Sequence, residues 1–162
     1  LNDKSTIKLD SKSKIKVSQI VSKLQPTEVE LSIGSAFFNV LRKKQTQKKS
    51  EDLEKFKVKT RTAAMAVRGT TFFVAALDKA KSYDTWMCVK EGRVLAMKSK
   101  HGKSVLVKTG EGIKIATREK IESPRPLPWT QGLNWELDIE KDITNKVDIS
   151  NAYKDLLDTE YD

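Results

Sequence analysis

From Ile7 to Ile115 the chain repeats one pattern: a short alternating or continuous apolar run, then a turn signal, about every 8 to 12 residues. Period-two alternation puts successive side chains on opposite faces, so these runs read as strands rather than helices. Ile7 and Leu9 alternate, Asp10-Ser11-Lys12-Ser13 turns the chain, and Ile15 and Val17 alternate again, which predicts a hairpin. Val29, Leu31 and Ile33 follow at period two; Gly34-Ser35 predicts a bend, and residues 36–41 form a more continuous apolar run. Residues 42–55 are almost all charged or polar, with Leu53 the exception, and predict a solvated loop or a short frayed helix.

Strand signals resume at Phe56 and Val58, at residues 64–67, and at 71–76 after the break at Gly69. Residues 78–84 are polar and read as a connection to the run Thr85-Trp86-Met87-Cys88-Val89. Glu91-Gly92 reads as a tight hairpin turn into residues 94–97, His101-Gly102 as a turn into Val105 and Val107, and Gly110-Glu111-Gly112 precedes Ile113 and Ile115. So many short strands predict a mainly-β chain, a β-sandwich or β-roll.

After Arg118 the character changes. Pro124, Pro126 and Pro128 alternate, which favours an extended strap that cannot join a central strand, and Trp129 and Trp135 follow it. These two tryptophans are candidate anchors that cover an edge or an open face of the sheet. A short helix is predicted after Ser150, a suitable N-cap, with Tyr153, Leu156 and Leu157 on one side. The expected division is a β domain over 1–122 and a strap with an acidic, partly helical tail over 123–162.

Charge is unevenly placed. Residues 136–162 hold nine acids against three lysines, a net of −6, so within a total of +9 the first 135 residues carry +15. The densest basic cluster, Arg42, Lys43, Lys44, Lys48 and Lys49, extends through the basic positions up to Lys59 and is a candidate face for an acidic polymer. It lacks the interleaved aromatics of a nucleic-acid site, so nucleic acid is not the expected partner. One histidine, His101, and one cysteine, Cys88, are too few for a metal site or a histidine-based triad, and neither a metal nor a cofactor is expected. Asp78, Asp84 and Glu91 flank turns with nothing to pair them across a cleft. No run approaches the ~20 apolar residues of a spanning helix, and any leader or anchor would lie upstream of Leu1.

The run Val67-Arg68-Gly69-Thr70, with Phe72 two positions on, resembles the central signature of FecR domains. Val89-Lys90-Glu91-Gly92-Arg93-Val94 is similar to the family's Val-x-Glu-Gly-x-Val turn, residues 106–112 to its closing glycine-rich segment, and residues 5–17 to its opening, so the resemblance runs over about 1–117. It implies a non-catalytic interaction or sensory module, periplasmic or otherwise attached to the bacterial cell envelope, that binds a protein partner. Read from their chemistry, Val67, Arg68, Gly69, Thr70, Phe72, Glu91 and Gly92 are structural: glycines for tight backbone, a forked donor, an aromatic anchor. Some relatives also resemble self-cleaving proteins in which a threonine hydroxyl attacks the preceding glycine carbonyl; Gly69-Thr70 is the matching bond. The binding module, the self-processing regulator and the acidic-polymer binder on the lysine-rich loop are the three readings the sequence offers.

Overall fold

A computed structural model of the chain describes residues 5–19, 27–41, 56–79, 82–98, 103–136 and 140. The lysine-rich cluster (Arg42, Lys43, Lys44, Lys48, Lys49), His101 and the helix expected after Ser150 lie outside the described residues.

Among the described residues ten strands form: β1 Thr6–Leu9, β2 Lys14–Gln19, β3 Thr27–Val40, β4 Phe56–Lys59, β5 Ala63–Val67, β6 Thr70–Lys79, β7 Ser82–Glu91, β8 Arg93–Lys98, β9 Ser104–Lys108 and β10 Gly112–Ala116. A 3-10 turn, Pro128–Gly132, sits in the strap. The expected mainly-β fold is the one the chain adopts, a sheet folded over on itself. One layer, here the upper, runs β1, β3, β6, β7, β10; the lower runs β2, β3, β4, β5, β8, β9. All neighbours are antiparallel except β3 and β4.

Among the described residues, strands that bend join the layers. β3 pairs with β4 through residues 27–30 and with β6 through residues 34–40, changing layer at Gly34. β5 passes into β6 across Gly69, β7 into β8 across Gly92, and β9 into β10 across Gly110. All four glycines have positive φ, from 58° to 101°, where a side chain is disfavoured. Gly34 faces Ala76 across β6, at the far end of that strand from Thr70, so its bend and the other three lie at opposite ends of the fold.

Three expectations are corrected here. Residues 6–17 are not a hairpin: β1 and β2 both pair with β3, one on each side of its bend, as a single rail with a kink at residues 10–13. The kink fits because the Ser13 hydroxyl accepts from the Ser35 amide at 2.9 Å, in the space an added Cβ on Gly34 would take, 2.6 Å from Ser13 Cα. Glu91-Gly92 likewise does not close a hairpin, since β7 pairs with β6 and β10 while β8 pairs with β5 and β9. The polar residues around 78–84 are not a connection; Asp78, Lys79, Ser82, Tyr83 and Asp84 continue the β6–β7 ladder. In the first two cases the local signal of a turn was correct and the partner was decided by distant residues, which short-range patterns do not encode.

The core between the layers is built from Leu31, Phe38, Phe56, Met65, Phe72, Met87, Val94 and Ile115, all 2% exposed or less. Phe38 stacks on Phe72 with ring centroids 5.0 Å apart. Away from the glycine bends, a buried row of hydroxyls pins the layers together. Thr60 Oγ1 lies 2.6 Å and Thr62 Oγ1 2.7 Å from Thr85 Oγ1, and Thr62 donates to the Ile115 carbonyl. Each hydroxyl has one proton, so the order is fixed: Thr60 donates to Thr85, Thr85 to Thr62, and Thr62 to the backbone. Thr85→Val keeps the shape and breaks this chain in two places, so chemical denaturation should show a loss of about 1–3 kcal/mol. An unchanged midpoint would mean that the row contributes no net stability.

Candidate functional site

The three glycine bends at one end of the fold form a stack, and two threonines hold it. Thr109 Oγ1 accepts from the Gly92 amide at 3.1 Å and donates to the Gly92 carbonyl at 3.0 Å. Thr70 Oγ1 accepts from the Arg93 amide at 3.3 Å and donates to the Arg93 carbonyl at 2.8 Å, with the Arg68 carbonyl at 3.1 Å as a second acceptor. Side-chain hydroxyls thus replace the ladder bonds that the bent backbone has lost. Gly92 has no room to be anything else: an added Cβ would lie 2.8 Å from the Gly69 carbonyl oxygen and 3.1 Å from Thr70 Cα.

The candidate residues of the sequence fall into this stack and its footings. Val67 and Phe72 are buried in the core on either side of the Gly69 bend, and Thr70 is buried within it. Arg68 is half-buried and Glu91 is exposed. At Gly69-Thr70 the hydroxyl points across to the neighbouring bend, where its proton meets backbone carbonyls.

The outer face of the upper layer carries a second apolar cluster of Phe37, Phe73, Ala75, Trp86 and Cys88, closed over by Leu127 and Leu133 of the strap. Trp135 lies against Phe37 with ring centroids 4.8 Å apart, and Trp129 meets Phe73 at 6.3 Å and Trp86 at 5.7 Å, edge to face. The Trp135 indole donates to the Thr130 carbonyl at 2.8 Å, fixing its ring. The strap is tied to the sheet by a two-bond bridge between Arg125 and Gly112, at 2.8 and 3.0 Å. Gly112 is required there, because a Cβ would lie 2.5 Å from Leu127 Cδ1 and 2.8 Å from the Met87 carbonyl.

Between the strap and the glycine stack lies a cleft of about 320 Å³. Leu127, Pro126, Pro128 and Trp135 form its apolar wall, Cys88 and Val89 are buried beneath it, and Lys90, Thr109, Gly110, Thr130 and Gln131 complete its lining. Burial pushes the Cys88 thiol up to about 12, against a smaller opposing pull from hydrogen bonds to Thr130 and the Phe73 backbone. It is therefore a neutral thiol at physiological pH. The raised value has a sign for stability: burial of the neutral thiol is fully favourable below the ordinary value of 9.0 and is lost as pH rises towards 12.

Sequence reasoning did not find this cleft. Its one available signal was the largely apolar character of residues 36–41 and 86–89, which implies sheet covered on both faces and so a covering segment. Nothing local announces that Lys90 and Thr109 meet the strap's prolines.

A family model described as FecR protein matches residues 1–95, ending within β8, short of the glycine-rich segment over 106–112. No curated protein matches the chain. Two crystal structures of a candidate anti-sigma factor from Parabacteroides distasonis, at 2.50 and 1.65 Å resolution, are similar in fold. Each has a TM-score of 0.58 at 23% identity, over 78% of this chain and 53% of theirs. The chain thus spans about half the length of these structures.

Proposed function

The chain belongs to the FecR protein family, and on that premise we propose that it is a non-catalytic regulatory module of the bacterial cell envelope that works by binding a protein partner. The observation that carries this reading is the use made of the family signature: Val67, Gly69, Thr70, Phe72 and Gly92 hold a bend or fill the core. Residues spent on the fold leave recognition to surfaces built on it. The fold shared with a candidate anti-sigma factor supports a place in transcriptional signalling.

In-frame removal of residues 5–136 from the encoding gene is expected to change the transcript levels of a discrete set of genes under envelope stress or nutrient limitation. Transcript profiles that match the parent strain in both conditions would overturn the regulatory reading.

One observation favours self-processing: a hydroxyl directly follows a glycine with φ 58° at Gly69-Thr70. Against it stands the direction of that hydroxyl, which is bonded to Arg93 rather than poised on the Gly69 carbonyl. The binding reading predicts one species of 18.3 kDa by intact mass. Two fragments parting at Gly69-Thr70, and absent from Thr70→Ala, would replace it with the processed regulator.

A further inference from the structure

We propose that the cleft between the strap and the glycine stack is a binding site for a carboxylate borne on an apolar body, such as the free C-terminus of a peptide ending in a hydrophobic residue. This deepens the reading of the chain as a binding module and rests on it. The cleft's volume, about 320 Å³, matches one ring or one branched side chain with its carboxylate, at the small end of ligand sites.

Its walls define the chemistry. Pro126, Pro128, Leu127 and the Trp135 ring offer an apolar surface already held in place, because Trp135 is fixed by Phe37 on one side and by its bond to Thr130. Among the described residues Lys90 is the only ionised side chain in the lining, and its ammonium lies 5.8 Å from the centre of the Trp135 ring. No carboxylate among the described residues lines the cleft, and the thiol beneath is neutral. One cation at the rim of an apolar, proline-rich wall selects a ligand with one negative charge and a hydrophobic body. A cationic ligand would meet the like charge of Lys90 there. At Gly110 the space in front of the backbone is open, with nothing within 4 Å of an added Cβ, so a ligand can approach the main chain closely.

The test uses the full chain labelled with nitrogen-15 and three probes: the tripeptide Gly-Gly-Leu, its C-terminal amide, and 3-phenylpropionate. Saturable shifts of the Trp135 indole and Gly110 amide signals are expected with both acids, and binding about tenfold weaker with the amide, as one charge-assisted hydrogen bond is lost. Lys90→Gln should weaken the acids to the level of the amide, and Lys90→Arg should restore them; Lys90 is exposed, so neither change threatens the fold. Tighter binding of the peptide assigns the site to a protein terminus, and tighter binding of 3-phenylpropionate to a small free acid; both sustain the carboxylate site. Equal binding of acid and amide, indifference to Lys90→Gln, or no saturable shift overturns it. Those failures are separable from failure of the regulatory reading, which is judged by transcript profiles and not by these titrations.

Discussion

A chain cut after Glu122 is expected to lose most of its stability and to melt far below the full-length protein. Leu127 and Leu133 are about 5–6% exposed, and with Trp129 and Trp135 they cover Phe37, Phe73 and Trp86, which would otherwise face water. Burying four such side chains is worth about 1.5–3 kcal/mol each. Even after a discount for a compact unfolded state, the sum is on the order of 5 kcal/mol. A domain of this size has about 5–15 kcal/mol in total, so the truncated chain sits at the edge of folding. Thermal melts followed by circular dichroism give the answer, and a second chain ending at Glu140 separates the strap from the residues after it. If the chain cut at Glu122 melted with the full-length protein, the strap would be an ornament on the sheet and the cleft would have no firm wall.

The second large effect is expected at Gly92→Ala. The residue sits at φ 100°, where a side chain is strained, and its Cβ would press on the Gly69 carbonyl oxygen and on the Thr70 hydroxyl, each 2.8 Å away, with Thr70 Cα at 3.1 Å, so backbone as well as the bonded hydroxyl would have to move. The strain costs about 1–3 kcal/mol, and displacing the Thr70 and Thr109 bonds adds about 1 kcal/mol for each bond lost. Gly110→Ala is the control: it shares a positive φ, 82°, but has open space around it, so only the strain applies. Denaturant midpoints should therefore fall markedly more for Gly92→Ala than for Gly110→Ala. Equal losses would place the whole effect in backbone angles and would falsify the packed stack.

How much of this was legible beforehand can be judged element by element. The strand at Phe56 and Val58 was readable from alternation, those at residues 64–67 and 71–76 from short apolar runs, and the bend at Gly34 from its glycine, because these signals are local. What followed each turn was not. Glu91-Gly92 has the composition of a hairpin turn, yet β8 goes to β5, some 27 residues away in register from Val67 to Val94, because the lower layer needed its apolar face. The same holds for the opening segment, whose two strands find β3 rather than each other. At the candidate site, the signature residues could be read as structural from glycine and hydroxyl chemistry, but not which hydroxyl holds which bend. Thr109, which grips Gly92 on both sides, carries no sign of that role in its neighbours.

The bent strands also decide what kinds of motion are open to the molecule. β3, β5 with β6, β7 with β8, and β9 with β10 each belong to both layers, and their bends lie at opposite ends of the fold. Sliding one layer over the other would tear ladder bonds in both at once, so shear, the small gliding of packed layers, is closed to this architecture. The body transmits a push as a single rigid piece. A message received on it must leave through parts that do not run through both layers, and among the described residues the longest of these is the strap, held to the sheet by a two-bond backbone bridge and the apolar contacts of Leu127, Leu133, Trp129 and Trp135.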